Sequence, residues 1–419
     1  MLLFAAMKAD QYIPRFITSR LEETLSDTPV VLIHGPRQSG KTTLASMIGK
    51  ELGYRYMTFD DDVMVHAAQE DPVGFIDSLP ERVILDEVQR VPDLFRAIKR
   101  TVDNDRKPGR FLLTGSANVL ALPKLADTLT GRMAIVRLYP FAQSELNGSR
   151  STFVEDLFGS NLGQYLGERL RESLVERVVA GGYPAALSRN SDSRRRAWYR
   201  DYVETTVQRD IRDLSRISSV DIVPRLLRAA AGQTASVMNL TDLSNPFQLS
   251  RQTITDYIVL LRQVFLLDEL PAWHTNRLKR LTRTAKLHFG DTGMAAALLG
   301  ATGASLPDDQ VLRGKFVETF VFQELRRLIS WADDDYQLYH LRDRDQVEVD
   351  IVIERSDGKI AGIEVKSGAT VRSQDFRGIR KLASAMETKF ASGVVLYDGE
   401  ATVPFGRNLH AVPLRAFWE

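Results

Sequence analysis

Residues 30–42 read V-V-L-I-H-G-P-R-Q-S-G-K-T. The apolar run at 30–33 predicts a buried parallel strand, and the G-x-x-x-x-G-K-[ST] spacing after it predicts a phosphate-binding loop. In such a loop the glycines let successive backbone N–H groups point at phosphate oxygens, and the next helix adds its positive end. Leu44, Met47 and Ile48 follow at helical spacing. This context favours a phosphate-binding loop over a chance glycine turn.

The loop supplies most of the predicted nucleotide-binding residues. Lys41 is expected to reach the β- and γ-phosphates, and the Thr42 hydroxyl is expected to ligate Mg²⁺. The full predicted set is Gly35, Pro36, Arg37, Gln38, Ser39, Gly40, Lys41, Thr42, Thr43 and, from a later strand, Thr114.

A second apolar run, at 82–87, ends in the carboxylates Asp86 and Glu87. On a central parallel strand, the carboxyl end of such a run opens onto the nucleotide crevice. We expect Asp86 to hold the Mg²⁺ shell and Glu87 to orient or deprotonate the attacking water. The alternative is a buried strand that ends in a solvated acidic turn.

A third apolar run, at 110–114, ends in small polar residues. In a sheet beside the first two strands, either Thr114 or Ser116 would sense the γ-phosphate, although turn chemistry explains these residues almost equally well. Arg132, before a further strand at 134–138, is the candidate arginine finger for a neighbouring subunit's nucleotide. A surface arginine without a ligand is the competing interpretation.

Together these motifs resemble an AAA-type ATPase of a prokaryotic family whose members carry an uncharacterised carboxy-terminal domain often noted as nuclease-like. The resemblance extends over nearly the whole chain and implies that the protein binds ATP. It rests on G-P-R-Q-S-G-K-T at 35–42, I-L-D-E-V-Q-R at 84–90, T-G-S-A-N at 114–118, L-x-P-F-x-x-x-E at 138–145 and G-G-Y-P at 181–184.

Composition limits the remaining possibilities. The chain has 419 residues and is 44% hydrophobic, enough for two to three domains with their own cores. Its formal charge is +1, so nucleic-acid binding requires local basic patches. The absence of cysteine excludes disulfides and thiolate metal sites and fits a reducing compartment. The sequence has no signal-like amino terminus and no 18-residue apolar run, so we expect a cytoplasmic protein without a membrane partner.

We expect an α/β protein built from several units. The predicted order is a helical lead-in (1–25), an AAA-type ATPase core (26–150), a helical connector (151–220), a winged-helix module (221–295) and a nuclease-like α/β domain (305–419). Within the connector, apolar spacing predicts helices at about 163–180 and 194–215, separated by the Gly-Gly-Tyr-Pro break.

The predicted winged-helix module has three helices followed by two strands, and its third helix begins with polar residues. Polar side chains there are what a recognition helix presents to base edges or phosphates. Residues 191–290 hold 16 lysines and arginines against 10 acidic residues, an excess of 6 that indicates a phosphate-binding surface. The alternative is an AAA lid or a protein docking surface. The expected nucleic-acid contacts are Arg251 on the third helix and Arg277, Lys279, Arg280 and Arg283 at a hairpin tip.

The carboxy-terminal region carries a second set of candidate catalytic residues. Two predicted adjacent strands hold Asp350 on one and Glu364 and Lys366 on the same face of the other. The two carboxylates suit Mg²⁺, and the lysine would lower the pKa of a bound water or hold a phosphate. Glu318, on a predicted amphipathic helix, is a further candidate metal ligand.

This set resembles the PD-(D/E)xK nuclease fold, with Asp350, Glu364 and Lys366 matching the core motif and Glu318 matching the helix acid. Val349 stands where that motif has proline. The resemblance implies metal-dependent phosphodiester cleavage. The spacing alone is a weak signal, and nuclease-like domains also serve as binding modules.

The sequence therefore favours an ATP-hydrolysing protein coupled to a nuclease-like domain, acting on nucleic acid, with DNA favoured, in DNA processing or defence. The alternative is a nucleotide-dependent regulatory switch whose carboxy-terminal domain binds a partner without cleaving. ATP and Mg²⁺ are the expected cofactors. A finger that acts on a neighbouring subunit's nucleotide implies a homo-oligomer, which is a possible partner state, and a protein partner is the other possibility.

Overall fold

The computed structural model describes residues 12–115, 128–159, 162–211, 220–281, 283–343 and 345–418. Ser116, one of the two candidate phosphate sensors, lies outside these residues. In the described part of the chain, no helix combines the length and the apolar character needed to cross a membrane.

The first sheet has five parallel strands in the order β2-β3-β4-β1-β5. They are β1 (Val30–His34), β2 (Arg55–Thr58), β3 (Val83–Asp86), β4 (Phe111–Thr114) and β5 (Met133–Arg137). The three central strands β1, β3 and β4 are buried at every position, as expected for strands covered on both faces. The predicted α/β class and parallel sheet are confirmed. The carboxyl ends of β1, β3 and β4, which carry the candidate nucleotide-site residues, meet at one edge, whereas Arg132 lies at the amino end of β5.

Helices pack around this sheet. They are α1 (Thr18–Asp27), α2 (Lys41–Leu52), α3 (Asp62–Glu70), α4 (Pro72–Asp77) and α5 (Leu94–Asn104). α2 begins directly after Gly40, whose φ of +97° is a conformation that side-chain-bearing residues rarely adopt. Leu44 and Ile48 are buried as their spacing predicts, whereas Met47 is 38% exposed.

Helical segments follow the first sheet. They are α6 (Gln143–Asn147), α7 (Phe153–Phe158), α8 (Glu172–Ala180), α9 (Pro184–Leu187) and α10 (Asp192–Thr206), which continues into the π-helical turn Val207–Ile211. α8 begins later than the helix that the sequence predicts from about residue 163. Tyr165 and Gly167 instead pair with a distant segment: Thr402 N–H donates to Tyr165 O at 2.9 Å, and Gly167 N–H donates to Glu400 O at 2.7 Å. Tertiary pairing therefore overrides the local helical pattern.

Residues 220–299 form a unit of helices around a small sheet. Its elements are α11 (Val223–Gly232), β6 (Ser236–Val237), α12 (Leu240–Ser244), α13 (Arg251–Gln263), β7 (Leu267–Leu270), α14 (Arg277–Leu281), β8 (Lys286–Phe289) and α15 (Thr292–Leu299), with the sheet order β6-β8-β7. β7 and β8 pair as an antiparallel hairpin, and the segment between them contains the helix α14. Before α14, the backbone N–H of Trp273 donates to His340 O at 2.6 Å, and this hydrogen bond joins the segment to the next domain.

The second sheet has six strands in the order β13-β14-β12-β11-β10-β9. The remaining elements are α16 (Gln310–Ser330), β9 (Tyr336–Arg342), β10 (Glu348–Arg355), β11 (Ile360–Val365), α17 (Arg377–Met386), β12 (Phe390–Tyr397), β13 (Val403–Gly406) and β14 (Leu409–Pro413). β9, β10 and β11 are antiparallel, and α17 crosses over from β11 to its parallel neighbour β12. Short 3₁₀ segments lie at Val88–Arg90, Val220–Ile222, Asn245–Phe247, Ser373–Phe376, Glu387–Lys389 and Leu414–Phe417.

One continuous apolar core connects these units. Leu44 of α2, Tyr199 of α10, Leu287 of β8, Phe316 of α16 and Ile363 of β11 belong to the same cluster of buried side chains. Separate clusters fill the other face of the first sheet and one side of the second. The predicted units therefore pack against one another through shared apolar contacts.

Candidate functional site

Lys41 lies within the phosphate-binding loop at the start of α2. Its ammonium donates to the carbonyl oxygens of Gly35 at 3.0 Å and Pro36 at 2.7 Å, and the residue is buried. Burial lowers the pKa of Lys41 to about 8, against the opposing effect of the Glu87 charge. A desolvated ammonium held by carbonyl groups favours an incoming anion, which is the chemistry that phosphate binding requires.

Thr42 and Asp86 lie side by side at the edge of the first sheet. The Thr42 hydroxyl donates to both carboxylate oxygens of Asp86 at 3.1 Å, and the Tyr56 hydroxyl donates to Asp86 Oδ2 at 2.6 Å. Thr114 also donates to Asp86. A hydroxyl beside a carboxylate fits a Mg²⁺ ion that accompanies a nucleotide. Tyr56 is not among the predicted residues, since only the pairing of β2 with β3 brings it to Asp86.

Glu87 follows β3 in a left-handed backbone conformation, with φ +57° and ψ +39°. A residue other than glycine holds such a conformation at a cost of about 1 to 3 kcal/mol, and functional sites are where this strain recurs. The Glu87 carboxylate accepts from the Gln89 amide, and the residue lines a cavity over the phosphate-binding loop. The strained turn therefore holds the predicted water-orienting carboxylate beside the loop.

The cavity over the loop has a volume of about 550 Å³. Its other wall comes from the connector, and the lining residues there are Pro184, Ala185, Tyr202, Thr205, Thr206 and Arg209. Sequence reasoning missed all of them, because a helical pattern does not say which element a helix faces. Arg209 adds a cation from outside the domain of the first sheet to the predicted nucleotide site.

Arg37 ties the loop to the connector. Its guanidinium donates to both carboxylate oxygens of Asp210 over 2.7 to 3.0 Å, and the Asp210 side chain is 1% exposed. The hydrogen bonds that it donates to Asp210 raise the pKa of Arg37 above its usual value. The Tyr202 hydroxyl adds a hydrogen bond to the Arg37 carbonyl at 3.3 Å. The predicted phosphate contact Arg37 is therefore held by a carboxylate of the π-helical turn.

Arg132, the candidate finger, lies away from the cavity of its own chain. Its guanidinium pairs with both oxygens of the Asp103 carboxylate on α5 and donates to Thr130 O at 3.0 Å. This pairing holds Arg132 at the surface of the domain that contains the first sheet. A role in a neighbouring subunit's site stays a prediction.

The carboxy-terminal site residues are brought together by the second sheet and α16. Asp350 Oδ2 accepts from Val365 N–H at 2.9 Å, and the Lys366 ammonium lies 3.5 Å from Glu364 Oε1. Glu318 and Asp350 are joined by Lys286 of β8, whose ammonium lies 2.8 Å from Glu318 Oε1 and 3.2 Å from Asp350 Oδ1. The sequence predicted the grouping of the three acids and Lys366.

Sequence reasoning missed Lys286, since it lies 64 positions from Asp350 in another predicted module. Burial lowers the pKa of Lys286, but the Asp350 and Glu318 carboxylates outweigh that effect and raise it. Burial together with the Asp350 charge raises the pKa of Glu318 to about 8 and that of Glu364 to about 9. Glu318 and Glu364 therefore keep their protons to a higher pH than an ordinary glutamate does.

The position of Lys286 bears on the predicted Mg²⁺ site at these acids. Lys286 occupies the space between Glu318 and Asp350, where a shared ion would lie. Over the described ranges, no group of three or more histidine, cysteine, aspartate or glutamate side chains is arranged to hold a metal. The assignment of Asp350 and Glu364 as metal ligands, with Glu318 as a further candidate, stays a prediction.

The predicted nucleic-acid contacts separate into different environments. Arg280 is turned inward: it pairs with Glu354 at 2.7 Å and lies over the rings of Tyr339 and Trp273. Its selection as a nucleic-acid contact is wrong, because its charge is already compensated within the fold.

The other predicted contacts differ from Arg280. Arg251 and Arg283 line one cavity of about 630 Å³, which Arg342 of β9 also lines. Lys279 is exposed on α14, and the side chain of Arg277 lies outside the part of the chain that the structure describes. Three of the five predicted residues therefore lie on the surface or on a shared cavity.

Three family models match successive parts of the chain. Residues 27–147 match the family described as AAA domain. Together with the phosphate-binding loop and the parallel sheet, this match supports an AAA-type P-loop ATPase domain. Residues 171–305 and 313–417 match two families described as Domain of unknown function, DUF8612 and DUF4143. The match at 313–417 does not support the predicted resemblance to PD-(D/E)xK nucleases.

Similar proteins occur in mycobacteria and archaea. Two uncharacterized proteins, of Mycobacterium tuberculosis and Mycobacterium bovis, are each 28% identical over 401 residues, which cover 95% of this chain and 83% of theirs. A solved Walker-type ATPase of Pyrococcus abyssi is 17% identical, with a TM-score of 0.44, and the alignment covers 71% of this chain and 99% of that one.

Proposed function

We propose that this protein is an ATP-binding and ATP-hydrolysing switch whose nucleotide site is completed by its own helical connector. The observation that carries the proposal is the cavity between the phosphate-binding loop and α10, because one wall holds Lys41, Thr42 and Glu87 and the other holds Arg209. A nucleotide bound there touches both units. ATP binding and release would therefore change the contact between them.

Each residue has a distinct role in this proposal. Lys41 binds the β- and γ-phosphates, and Glu87 orients the attacking water and accepts its proton. Thr42 and Asp86 would hold Mg²⁺, which neutralises phosphate charge when it is bound. Arg209 lies where a second cation can stabilise the charge that develops on the phosphates.

Two substitutions separate binding from hydrolysis. Lys41→Ala removes the phosphate-binding charge and should abolish nucleotide binding. Glu87→Gln keeps the shape of the side chain but removes the base, so it should bind ATP and hydrolyse it at least about 100-fold more slowly. Lys50→Ala is the matched control, because Lys50 is exposed in the last turn of the same helix. Hydrolysis at the parent rate in Glu87→Gln would remove Glu87 from the mechanism.

We also propose that the switch contacts nucleic acid, with DNA favoured, through Arg251, Lys279 and Arg283. The exposure of Lys279 and the cavity shared by Arg251 and Arg283 support this surface. Replacing all three with alanine should weaken DNA binding. It should also reduce the slope of log affinity against log salt by about 0.9 for each phosphate that is no longer neutralised. An unchanged slope would favour a protein docking surface instead.

For the carboxy-terminal domain, the antiparallel β9-β10-β11 order and the grouping of Asp350, Glu364 and Lys366 support a nuclease-like architecture. One observation favours the second candidate function, a regulatory switch that binds a partner without cleaving: the Lys286 ammonium lies between Glu318 and Asp350. Incubation with Mg²⁺ or Mn²⁺, ATP, and single-stranded, duplex or branched DNA distinguishes the two. Cleavage that disappears in Asp350→Ala would support a nuclease.

A further inference from the structure

Lys286 reaches the acidic centre from a different unit of the fold. It is the first residue of β8, the central strand of the small sheet, while Glu318 lies on α16 and Asp350 on β10. The Lys286, Glu318 and Asp350 side chains are 4%, 13% and 12% exposed. The ammonium nitrogen therefore bridges a helix acid and a strand acid, out of contact with most solvent.

We infer that Lys286 is a built-in cation that takes the place of a divalent ion, so that this centre binds no metal in the native protein. Mg²⁺ in proteins requires oxygen ligands at about 2.0 to 2.1 Å. The oxygens that would supply them accept hydrogen bonds from the ammonium instead, and a second cation at the same point would be repelled by it.

Four carboxylate oxygens at this centre have described partners: Glu318 Oε1, Asp350 Oδ1, Asp350 Oδ2 and Glu364 Oε1. Asp350 Oδ1 accepts a hydrogen bond from the Lys286 ammonium, and Asp350 Oδ2 accepts one from the backbone N–H of Val365. Glu364 lies beside Lys366, which also lies 3.6 Å from Asp375. A metal would therefore have to replace contacts that the protein makes with its own chain.

β8 holds Lys286 in position. All four of its residues are buried. His288, two residues along the strand, lies 3.2 Å from the Thr319 hydroxyl on α16, and Thr319 in turn lies 2.8 Å from Thr234. An ion that displaced the ammonium would take its carboxylate partners from a side chain that is only 4% exposed, and losing the partners of a buried charge is costly.

The inference goes beyond the proposed ATPase function and does not depend on it. It assigns to the carboxy-terminal domain a site in which an ammonium joins the domain to residues 220–299. Phosphodiester cleavage that requires a divalent ion between Glu318 and Asp350 does not occur at such a site.

The test is a titration of the nucleotide-free, full-length protein with Mn²⁺, with bound ion counted by electron paramagnetic resonance. The native protein should bind no ion that depends on Asp350, so native and Asp350→Asn should give the same count. Lys286→Met keeps the length of the side chain and removes its charge, and it should gain one bound ion per chain. That ion should disappear in Lys286→Met combined with Asp350→Asn.

Lys315→Met is the matched control. Lys315 lies on the same helix as Glu318 and donates to the Gly232 carbonyl at 3.0 Å, so its replacement removes a partly buried lysine without touching the acids. This variant should gain no ion.

Two results would overturn the inference: an Asp350-dependent ion in the native protein, or a folded Lys286→Met that gains none. If circular dichroism shows that Lys286→Met does not fold, the native and Asp350→Asn titrations decide alone. Equal counts then support the inference, and a difference of one ion overturns it. ATP hydrolysis, measured separately with the Lys41 and Glu87 variants, does not enter either result.

Discussion

Lys41 and Arg280 are both removed from water, but their partners differ. Lys41 donates to two backbone carbonyls of its own loop, whereas Arg280 is paired with the Glu354 carboxylate and stacked on aromatic rings. The Lys41 ammonium therefore has no carboxylate of the described residues bonded to it and can bind an incoming anion, whereas the Arg280 guanidinium is already neutralised by Glu354. Both residues carry a positive charge in the sequence, and only their surroundings separate a ligand contact from a structural one.

The depressed pKa of Lys41 makes nucleotide affinity depend on pH. Only the protonated lysine attracts phosphate, and its pKa in the free protein is about 8. Affinity for a slowly hydrolysed ATP analogue should be constant below about pH 8. Above it, affinity should fall by up to about tenfold per pH unit, because binding must then supply the free energy of protonation. Calorimetry from about pH 6.5 to about pH 9.5 measures this.

The control for that experiment is Lys41→Arg, whose guanidinium stays charged over the whole range. Its affinity should be lower but independent of pH. An equally flat profile for the native protein would show that Lys41 is not the group that titrates.

Arg280 should contribute to stability rather than to nucleic-acid binding. Arg280→Ala leaves the Glu354 carboxylate, which is 13% exposed, with the Trp273 indole as its remaining described partner. Removing one partner of a buried ion pair costs about 3 kcal/mol in the free energy of unfolding. Lys279→Ala, at an exposed neighbour, should change it by less than about 0.5 kcal/mol. Urea unfolding compares the two, and equal effects would contradict the buried pairing.

At the scale of elements, the nucleotide site depends on how the π-helical turn Val207–Ile211 packs against the phosphate-binding loop. The turn places Asp210 beside Arg37, and it follows directly on α10, which lines the cavity. π-Helical turns are rare and recur at functional sites. The ion pair between Arg37 and Asp210 therefore joins the phosphate-binding loop directly to the helical connector.

The Arg37 and Asp210 pair should show strong energetic coupling. Arg37→Ala leaves a carboxylate that is 1% exposed without its charged partner, which costs about 3 kcal/mol of unfolding free energy. The double variant Arg37→Ala, Asp210→Ala should cost about 1 to 3 kcal/mol less than the sum of the single variants. Denaturant unfolding of the four proteins measures this.

A surface pair provides the control for that cycle. Arg20 lies 4.0 Å from Asp335, and both side chains are well exposed, so their coupling should stay below about 1 kcal/mol. Additive single effects at Arg37 and Asp210 would show that the two units do not communicate through this pair.

At the scale of the whole molecule, the separation of Arg132 from its own cavity bears on assembly. A finger that cannot reach its own nucleotide acts only when a second subunit binds beside it. Hydrolysis per chain should then rise with protein concentration. A mixture of Arg132→Ala and Lys41→Ala chains should recover part of the native rate, since each supplies what the other lacks.

This mixing experiment uses ATP hydrolysis as its measurement, with each variant alone as the control. Hydrolysis that does not depend on concentration, together with no recovery on mixing, would contradict the finger role. Arg132 would then be explained by its pairing with Asp103.

The sequence by itself determined the parts of this protein whose signal is local. Lys41, Thr42, Asp86 and Glu87 are read from a strand, a glycine-rich loop and an acidic strand end, because each motif is local and the carboxyl ends of parallel strands meet at one sheet edge. The parallel sheet follows from the same runs.

Only the tertiary structure decided which distant side chains complete each site. Arg209 and Asp210 reach the phosphate-binding loop, Lys286 reaches Asp350, and Arg280 turns inward. No local pattern marks these residues, because a lysine on a strand or an arginine on a helix has the same sequence signal whatever it faces. Whether a charge meets a ligand or a carboxylate is set by the packing of elements far apart in the chain, and that packing depends on burying one shared apolar core.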